Sequence, residues 1–300
     1  MKLMILIRCS AKACHPFSQI NKDKISFFPS YYGELREEPS VDTPYFHHYK
    51  GGKWSGIYDF FEHFPELLRE YDYFWFVDDD ILADIEVVCT FFEIVSAHGF
   101  ALAQPALTSQ SYWAHRITLQ NTGFIFRNSN LVELMMPVMK RDFLEKVLPL
   151  FKGRDAAMGV DFMWHQLTEN PQRDVAIIDA TPMTHSRPRQ IFLKSAMKQQ
   201  DRDIYRERSE TCNTLSIRRQ MPVVLGGQTV AGKNYKRGPS LLPKLLIELG
   251  KVAREARNPA LSMRDYFNLV VQQIFGSTNR LTFDRDAYLE IVKKNQIDGL

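Results

Sequence analysis

The sequence predicts an α/β protein in which helices cover both faces of a mainly parallel sheet, followed by a helical extension. Over the first 190 residues, short apolar segments alternate with segments whose apolar residues recur at helical spacing. This alternation is typical of a parallel sheet that lies between layers of helices. Residues 73–77 are apolar or aromatic at every position, as expected of a strand that is buried on both faces.

Composition and cysteine usage exclude several classes of protein. The 300 residues are 45% hydrophobic and 24% charged, which suits a folded globular chain rather than a disordered one. No apolar run approaches the roughly 18 residues that span a bilayer. The four cysteines form no C-x-x-C pair, which argues against a disulfide scaffold and a cysteine zinc site. The apolar run at residues 3–7 is too short for a signal peptide, so we expect a cytoplasmic protein.

Six strands are predicted before residue 190. Each is a short apolar, aromatic or β-branched segment, and the first of them ends where the polar residues Arg8 and Ser10 begin a loop. The predicted strands cover residues 3–8, 25–32, 73–77, 100–104, 122–127 and 175–179.

Helices are predicted between and after these strands. The pattern is clearest at residues 54–70, which follow a polar loop containing proline and glycine. The other predicted helices cover residues 84–98, 130–150, 160–169, 190–210, 241–257, 262–275 and 285–296, and residues 221–239 are predicted as a glycine-rich loop. Because strands nearly disappear after residue 190, we predict one domain over residues 1–190 and a mainly helical, basic extension over residues 191–300.

Charge is distributed unevenly along the chain. Residues 1–186 contain 17 Lys and Arg against 24 Asp and Glu, whereas residues 187–257 contain 16 against 6. An acidic first half is not typical of a nucleic-acid-binding domain, so we expect no nucleic-acid partner. The basic segment could face phosphates, an acidic lipid or an acidic polymer, or it could be an ordinary solvated helical surface.

Three consecutive aspartates, Asp78, Asp79 and Asp80, follow the buried strand at residues 73–77. Open α/β sheets bind ligands beyond the carboxyl ends of their strands. Adjacent carboxylates repel one another unless cations offset their charge, and clustered oxygen ligands select Mg²⁺ or Mn²⁺. The alternative is that Asp79 or Asp80 caps a helix that starts near Ile81.

His185 and Asp161 are the next candidates. His185 follows the predicted strand at residues 175–179, so it should reach the same sheet edge as the aspartates and could bind Mn²⁺, with Arg187 and Arg189 beside it for phosphate. The alternative is an ordinary surface histidine. Asp161 falls in the first turn of a predicted helix, where it is either favoured by the helix dipole or acts as a general base. Asp155 is the rival base.

Several weaker candidates surround these residues. Arg8, Ser10 and Lys53 follow or precede predicted elements near the same edge and could contact a nucleotide or phosphate. Asn121 could hydrogen-bond a sugar or line the cleft. Three aromatic side chains could stack on a sugar, although core packing is the commoner role: Trp113, His115 and Trp164.

These segments together resemble the GT-A superfamily of nucleotide-sugar-dependent glycosyltransferases, which has a Rossmann-like fold. The resemblance is to a poorly characterised GT-A-like branch of bacterial and plant proteins. It rests on residues 71–80, 104–107, 121–123, 159–161 and 185–188, and it covers residues 1–190. It implies a transferase that moves a sugar from a nucleoside-diphosphate sugar to a hydroxyl acceptor in bacterial glycan or polysaccharide synthesis.

The resemblance also implies roles for particular residues. In such enzymes the first aspartate of the D-x-D motif, here Asp78, touches the ribose or the metal, and the last, Asp80, holds Mn²⁺ or Mg²⁺. A late histidine, His185, completes the metal shell, and Asp161 corresponds to the base of inverting members, although Val160 stands where many families have Glu. The donor-binding residues would be Arg8, Ser10, Lys53, Asp78, Asp79, Asn121 and Arg187.

Two other classes of function compete with this one. A nucleotidyl- or phosphoryl-transfer enzyme also uses clustered aspartates, and a non-catalytic carbohydrate-binding protein could share the fold. Neither a Walker A motif nor G-x-G-x-x-G is present. Residues 241–257 have the pattern of an amphipathic interfacial helix, which predicts either peripheral contact with the inner face of a membrane, suiting a lipid-linked acceptor, or packing on the first domain.

Overall fold

The computed structural model describes residues 1–10, 16–20, 24–33, 45–188, 197–198, 203–245, 259–276, 278 and 281–297. Its strands are β1 (Leu3–Cys9), β2 (Ile25–Tyr31), β3 (Tyr73–Asp78), β4 (Ile81–Leu82), β5 (Leu102–Leu107), β6 (Phe124–Ser129), β7 (Val138–Lys140), β8 (Val175–His185), β9 (Val224–Thr229) and β10 (Asn234–Lys236). Its helices are α1 (Lys53–His63), α2 (Glu66–Glu70), α3 (Ile85–His98), α4 (Arg141–Val147), α5 (Ile204–Thr214), α6 (Pro259–Phe275) and α7 (Arg285–Asn295). Within these residues, no helix has the length and apolar character needed to cross a membrane.

The strands form one mixed sheet in the order β10-β9-β6-β8-β5-β7-β3-β1-β2, with β4 paired to β8 outside this path. Strands β1, β2 and β3 are mutually parallel, and β5 is parallel to β8. Strand β7 runs antiparallel between β3 and β5, and β6 runs antiparallel between β8 and β9. Six of the nine strands on the path therefore share one direction, and the predicted α/β class with a mainly parallel sheet is confirmed.

Two apolar layers cover the two faces of this sheet. Along β1, Met4 and Leu6 belong to one layer, while Leu3, Ile5 and Ile7 belong to the other, because successive side chains of a strand point to opposite faces. The first layer packs against α1, α2 and α4, and the second packs against α3. The sheet thus lies between helices, as the continuous apolar run of β3 predicts.

The structure corrects two helix predictions. The segment 130–150 contains β7, α4 and a 3₁₀ turn, Leu148–Phe151, instead of one helix. Pro137 restricts the residue before it to extended conformations, which prevents a helix from running through this position. The segment 160–169 is two short 3₁₀ turns, Val160–Phe162 and Trp164–Leu167, so Asp161 lies in a tight turn rather than in an α-helix.

The glycine-rich segment 221–239 is not the predicted loop, because it contains β9 and β10. Strand β9 pairs with β6 and extends the main sheet. A Cβ atom at Gly227 would lie 2.5 Å from the carbonyl oxygen of Phe126, and one at Gly226 would lie 2.6 Å from that of Tyr235. The glycines therefore permit a close approach of strands, which from sequence alone is indistinguishable from a loop signal.

The domain boundary near residue 190 stays a prediction, as does the membrane contact of residues 241–257. The segment around the boundary and most of 241–257 lie outside the described residues. Of the second segment, Leu241 and Leu245 are described, and both are buried in an apolar cluster with Ile117 and Phe124. Arg189 also lies outside the described residues.

Candidate active site

A cavity of about 480 Å³ opens at the carboxyl ends of β1, β3 and β8. Strands β1 and β3 are in parallel register, with Arg8 opposite Asp78, so both strands end at the same edge of the sheet. Strand β4 pairs with the end of β8, with Ile81 opposite His185. This topology gathers side chains that are far apart in sequence along one wall of the cavity.

Asp78, Asp79, Asp80 and His185 form what we call the carboxylate cluster. Asp78 ends β3, a turn follows, and β4 then carries the chain alongside β8, which places Asp80 next to His185. The Nε2 atom of His185 lies 3.2 Å from Oδ2 of Asp80. The helix predicted to start near Ile81 instead begins at Ile85, so neither Asp79 nor Asp80 caps it.

Two cationic side chains pair with the three carboxylates. Lys53 Nζ donates to Asp78 Oδ1 at 2.7 Å, and also to the carbonyl oxygens of Leu134 at 2.8 Å and Met135 at 2.6 Å. Arg187 donates to Asp79 through a short hydrogen bond, and its Nε lies 3.2 Å from Asp80 Oδ2.

Tyr32 adds a neutral contact, because its hydroxyl donates to Asp79 Oδ2 at 2.9 Å. With a protonated His185, the cluster and its partners carry as many positive as negative charges.

Burial and pairing shift the pKa values of this cluster in different directions. Burial raises the pKa of Asp78 and lowers that of Lys53, and their mutual attraction only partly offsets it. Burial alone would lower the pKa of His185, but the hydrogen bond and charge of Asp80 outweigh it, so this pKa is raised. Burial alone would raise the pKa of Asp80, but the hydrogen bond and charge of His185, together with the charge of Arg187, outweigh it, so this pKa is lowered. Asp80 and His185 therefore stabilise each other's charged forms.

The cluster fits a divalent cation. Ligand atoms of Asp78, Asp80 and His185 all lie within 4.8 Å of one another. The Nδ1 atom of His185 lies 2.7 Å from the carbonyl oxygen of Tyr112, which can only accept a hydrogen bond, so Nδ1 carries a proton and Nε2 faces the aspartates. A metal-binding histidine is commonly oriented in this way. Two carboxylates and one imidazole suit Mn²⁺, and the carboxylates also suit Mg²⁺.

A second group, the Asp161 cluster, comprises Asp161, Phe162, Arg208 and Arg219, and it lines the same cavity. Asp161 is 7% exposed, and its Oδ1 accepts a hydrogen bond from the backbone N–H of Gly159 at 3.0 Å. Burial raises the pKa of Asp161 from 3.8 to about 6, although that hydrogen bond and the positive charges of Arg219 and Arg208 oppose the shift. The carboxylate is thus a stronger base than an exposed aspartate.

Asp155, the rival base, anchors the start of α1. Its Oδ1 accepts hydrogen bonds from the backbone N–H of Gly52 at 2.8 Å and from the hydroxyl of Ser55. Its backbone carbonyl accepts from Trp54 N–H at 3.3 Å. Asp155 therefore positions the segment that carries Lys53.

The structure gives Arg8 and Lys53 internal partners. Arg8 lines the cavity, but its two terminal nitrogens donate to Ser30 Oγ and to the carbonyl oxygens of Tyr31, Tyr49 and Gly51. The three N–H groups of Lys53 all have acceptors within the protein, so the predicted contact of Lys53 with a phosphate does not match this geometry. Both side chains instead hold the walls of the cavity in place.

Three other candidates lie away from the cavity. Ser10 and Asn121 are not among the described residues that line it. Asn121 was predicted to contact the donor; the structure places it in the core, fully buried, with its N–H donating to Asp179 Oδ1 at 2.8 Å. Trp164 packs against Trp54 in the core, so it is not a sugar-stacking surface.

Trp113 and His115, the other two aromatic candidates, have different surroundings. Trp113 packs at the edge of the second apolar layer. His115 does line the cavity, where a sugar could reach it.

A second set of possible metal ligands, His47, Asp59 and His63, lies outside the cavity. His47 Nε2 lies 2.9 Å from Asp59 Oδ2, and its Nδ1 lies 2.6 Å from Ser30 Oγ. Because Ser30 also accepts from Arg8, this group supports the buried guanidinium.

Sequence reasoning missed the contribution of α5. Glu207 is buried, and its carboxylate accepts hydrogen bonds from the backbone N–H groups of Asp155, Ala156 and Ala157 at 2.9, 2.9 and 2.8 Å. Arg208, the next residue, lines the cavity with Arg219. The basic charge of residues 187–257 was the available signal, but nothing in the spacing relates these side chains to Asp161, about 50 residues earlier.

Comparison with known proteins finds similarity in structure only. No family model matches the chain, and no curated protein matches it. Protein A197 from STIV matches 62% of this chain and 85% of its own, at 15% identity and a TM-score of 0.35. TarS 1–349 of S. aureus in complex with UDP matches 98% and 91%, at 9% identity and a TM-score of 0.39.

Glucosyl-3-phosphoglycerate synthase of Mycobacterium tuberculosis, in complex with Mn²⁺, UDP-glucose and phosphoglyceric acid, matches 71% of this chain and 80% of its own. The identity is 10% and the TM-score is 0.37. Two of these three structures contain a uridine nucleotide.

Proposed function

We propose that this chain is a metal-dependent glycosyltransferase that moves a sugar from a nucleoside-diphosphate sugar to a hydroxyl group of a glycan or lipid-linked acceptor. The observation that carries the proposal is the meeting of Asp78, Asp80 and His185 at the carboxyl edge of the sheet, with ligand atoms within 4.8 Å of one another. The same cavity contains the buried carboxylate of Asp161. A cation site and a base in one cavity suit a metal-dependent transfer that inverts the sugar's configuration.

On the donor side, Asp78, Asp80 and His185 would hold Mn²⁺ or Mg²⁺. When bound, the ion supplies a Lewis acid that neutralises the charge on the leaving nucleoside diphosphate. Arg187 has the most exposed side chain of the three cations, at 38% against 14% for Lys53 and 4% for His185. Arg187 is therefore best able to exchange a carboxylate for a phosphate oxygen, while Lys53 keeps Asp78 in place.

On the acceptor side, Asp161 would remove the proton from the attacking hydroxyl group. A general base works best when its pKa lies near the working pH, because it must be ionised and still bind a proton strongly. The pKa of Asp161, about 6, meets both conditions near neutral pH. Its Oδ1 is held by the N–H of Gly159, which fixes the direction of the carboxylate.

The proposal is tested by thermal unfolding of the full chain with UDP, GDP, ADP and CDP, each with and without Mn²⁺. A ligand that binds only the folded state at about 100 times its Kd stabilises that state by about 2.7 kcal/mol. We expect a rise in Tm that requires both the metal and one of the diphosphates. The rise should disappear in Asp80→Ala.

Asp84→Ala is the matched control. Asp84 lies four residues further on, is exposed, and makes no side-chain capping hydrogen bond at the start of α3. It should retain the full shift. No shift with any diphosphate, or the same shift without metal, would contradict the proposal, and a shift with nucleoside triphosphates alone would favour phosphoryl or nucleotidyl transfer.

A further inference from the structure

Two arginines of the basic segment face the cavity beside Asp161. Arg208 lies on α5, and Arg219 follows this helix after a short connection. The guanidinium carbon of Arg208 lies 5.4 Å from the centroid of the Phe162 ring, and that of Arg219 lies 5.2 Å from it. One aromatic ring therefore supports both cations next to the candidate base.

Neither guanidinium has an acidic partner within 4.0 Å among the described residues, and Asp161 acts on both only through its charge at longer range. Their sequence neighbours differ. Arg206 Nε pairs with Glu210 at 3.0 Å on the exposed side of α5. Arg187, at the carboxylate cluster, pairs with Asp79 and Asp80. Arg8 also lines the cavity without an ion pair, but Ser30 and carbonyl oxygens occupy its terminal nitrogens. Among the described residues, Arg208 and Arg219 are the other cavity-lining arginines whose charge is not balanced by a direct ion pair.

Stacking and repulsion both favour an anion at this point. A guanidinium that packs on an aromatic ring still has N–H groups that can donate to an oxyanion. Two like charges over one ring repel each other, and an anion that binds both relieves this repulsion. Charge-assisted hydrogen bonds of this kind are the strongest that a phosphate or carboxylate forms with protein.

We propose that Arg208 and Arg219 bind an anionic group of the acceptor, a phosphate or a carboxylate, and so place the acceptor hydroxyl group beside Asp161. This inference rests on the proposed function and names the class of acceptor that it uses. The donor diphosphate has its own partners at the carboxylate cluster. Two arginines of the basic segment 187–257 would then recognise the acceptor in this cavity.

The test measures binding to the full chain with isothermal titration calorimetry in metal-free buffer. The probes are inorganic phosphate, glycerol 3-phosphate, acetate and, as the uncharged comparison, glycerol. The variant is Arg208→Gln/Arg219→Gln, and the matched control is Arg206→Gln/Arg218→Gln, which removes two exposed charges from the same segments without touching the cavity. Arg219→Gln alone changes an exposed side chain, so the test does not depend on the folding of the double variant.

We expect wild type and control to bind phosphate and glycerol 3-phosphate alike and not to bind glycerol. The affinity should fall about tenfold or more in Arg208→Gln/Arg219→Gln and by a smaller factor in Arg219→Gln. Binding of acetate as well would extend the site to carboxylates. Binding of UDP with Mn²⁺ should stay within about twofold in all variants.

Two results would overturn the inference. One is phosphate binding that is absent, or that is equally strong in the double variant. The other is a loss of UDP affinity that matches the loss of phosphate affinity, since the arginines would then hold the donor. The thermal-unfolding screen with nucleotides tests the transferase proposal separately. The acceptor-binding proposal and the transferase proposal can therefore be contradicted independently.

Discussion

The carboxylate cluster and the Asp161 cluster differ in whether their carboxylates form ion pairs. In the carboxylate cluster each aspartate has a cationic partner: Lys53 for Asp78, and Arg187 for Asp79 and Asp80. In the Asp161 cluster, the buried carboxylate makes no ion pair within 4.0 Å among the described residues, and its pKa rises to about 6. The first arrangement offsets the charge of the carboxylates with neighbouring cations, whereas the second leaves one carboxylate able to exchange a proton near neutral pH.

Asp179 shows that the fold pairs a buried aspartate where no proton transfer is proposed. Its two oxygens accept from Arg127 Nε at 2.7 Å and Nη2 at 2.8 Å, and the same guanidinium donates to the carbonyl oxygens of Ile117 and Leu119. Both side chains of this pair are fully buried. Among the described residues, Asp161 has no such partner, although it is also buried.

The largest expected effect comes from removing the cation that holds Asp78. Lys53→Met leaves the partly buried Asp78 carboxylate without its partner and the carbonyl oxygens of Leu134 and Met135 without their donor, which together should lower the free energy of unfolding by about 3–5 kcal/mol. Urea unfolding measures this change, with Lys50→Met, an exposed lysine, as the control. Adding Asp78→Asn to Lys53→Met should recover part of the loss. A loss below about 1 kcal/mol would show that the pair is unimportant.

The next prediction compares two buried aspartates through the same substitution. Asp179→Asn should destabilise the protein by about 3–5 kcal/mol, because it breaks a buried ion pair. Asp161→Asn should instead stabilise it at pH 7.5, by up to about 3 kcal/mol, the free energy that corresponds to a pKa moved from 3.8 to about 6. The Asn side chain keeps an oxygen for the N–H of Gly159.

The size of the stabilisation by Asp161→Asn depends on pH. Below pH 3.8 the carboxyl group is protonated in both states, and between pH 3.8 and about 6 the unfolded chain releases the proton that the folded chain keeps. Stability therefore falls as pH rises through this window, and Asp161→Asn removes the fall. Urea unfolding at pH 5 should give about half of the gain found at pH 7.5, and a gain independent of pH would contradict the assignment.

An effect of comparable size is expected on catalysis. If Asp161 is the base, kcat/KM should decrease about tenfold for each pH unit below about 6 and should be level above it. The assay uses the donor and metal found in the stability screen and follows release of the nucleoside diphosphate with an acceptor. Asp161→Asn should lower the rate by about 10²–10⁴-fold without weakening donor binding. An unchanged profile in this variant would assign the proton transfer elsewhere.

The smallest effect concerns the support that α5 gives to both candidate bases. Glu207→Gln loses the ionic character of three hydrogen bonds to the N–H groups of Asp155, Ala156 and Ala157, so a loss of about 1–3 kcal/mol is expected. Glu210→Gln, on the same helix, breaks only an exposed pair with Arg206 and should change stability by less than about 1 kcal/mol. Equal losses would show that the buried carboxylate has no special role.

The elements that sequence predicted best are those whose identity depends on local pattern. The apolar runs correspond to β1, β2 and β3. The helix predicted at residues 84–98 agrees with α3 to within one residue. The errors fall where tertiary contacts override local signals. Strand β9 needs glycines only because β6 and β10 approach closely. Part of the segment 130–150 becomes strand β7 because β3 and β5 hydrogen-bond to it.

The candidate site divides in the same way. Asp78, Asp79 and Asp80 were predictable because a carboxylate run directly follows a buried strand, and β-strand ends meet at one sheet edge. The pairing of His185 with Asp80 followed from the same rule. The internal partners of Lys53 and Arg8, and the burial of Asn121, were not predictable, because sequence does not say which carbonyl oxygens surround a side chain.

By itself the sequence determined the α/β class, the acidic sheet edge and the excess of positive charge after residue 186. These follow from periodicity and composition, which are properties of neighbouring residues. Which charges form ion pairs depends instead on the tertiary structure. Burial sets the pKa of Asp161, and the packing of α5 brings Arg208 and Arg219 to it. Both depend on desolvation and on distances between residues far apart in the chain, which local sequence does not encode.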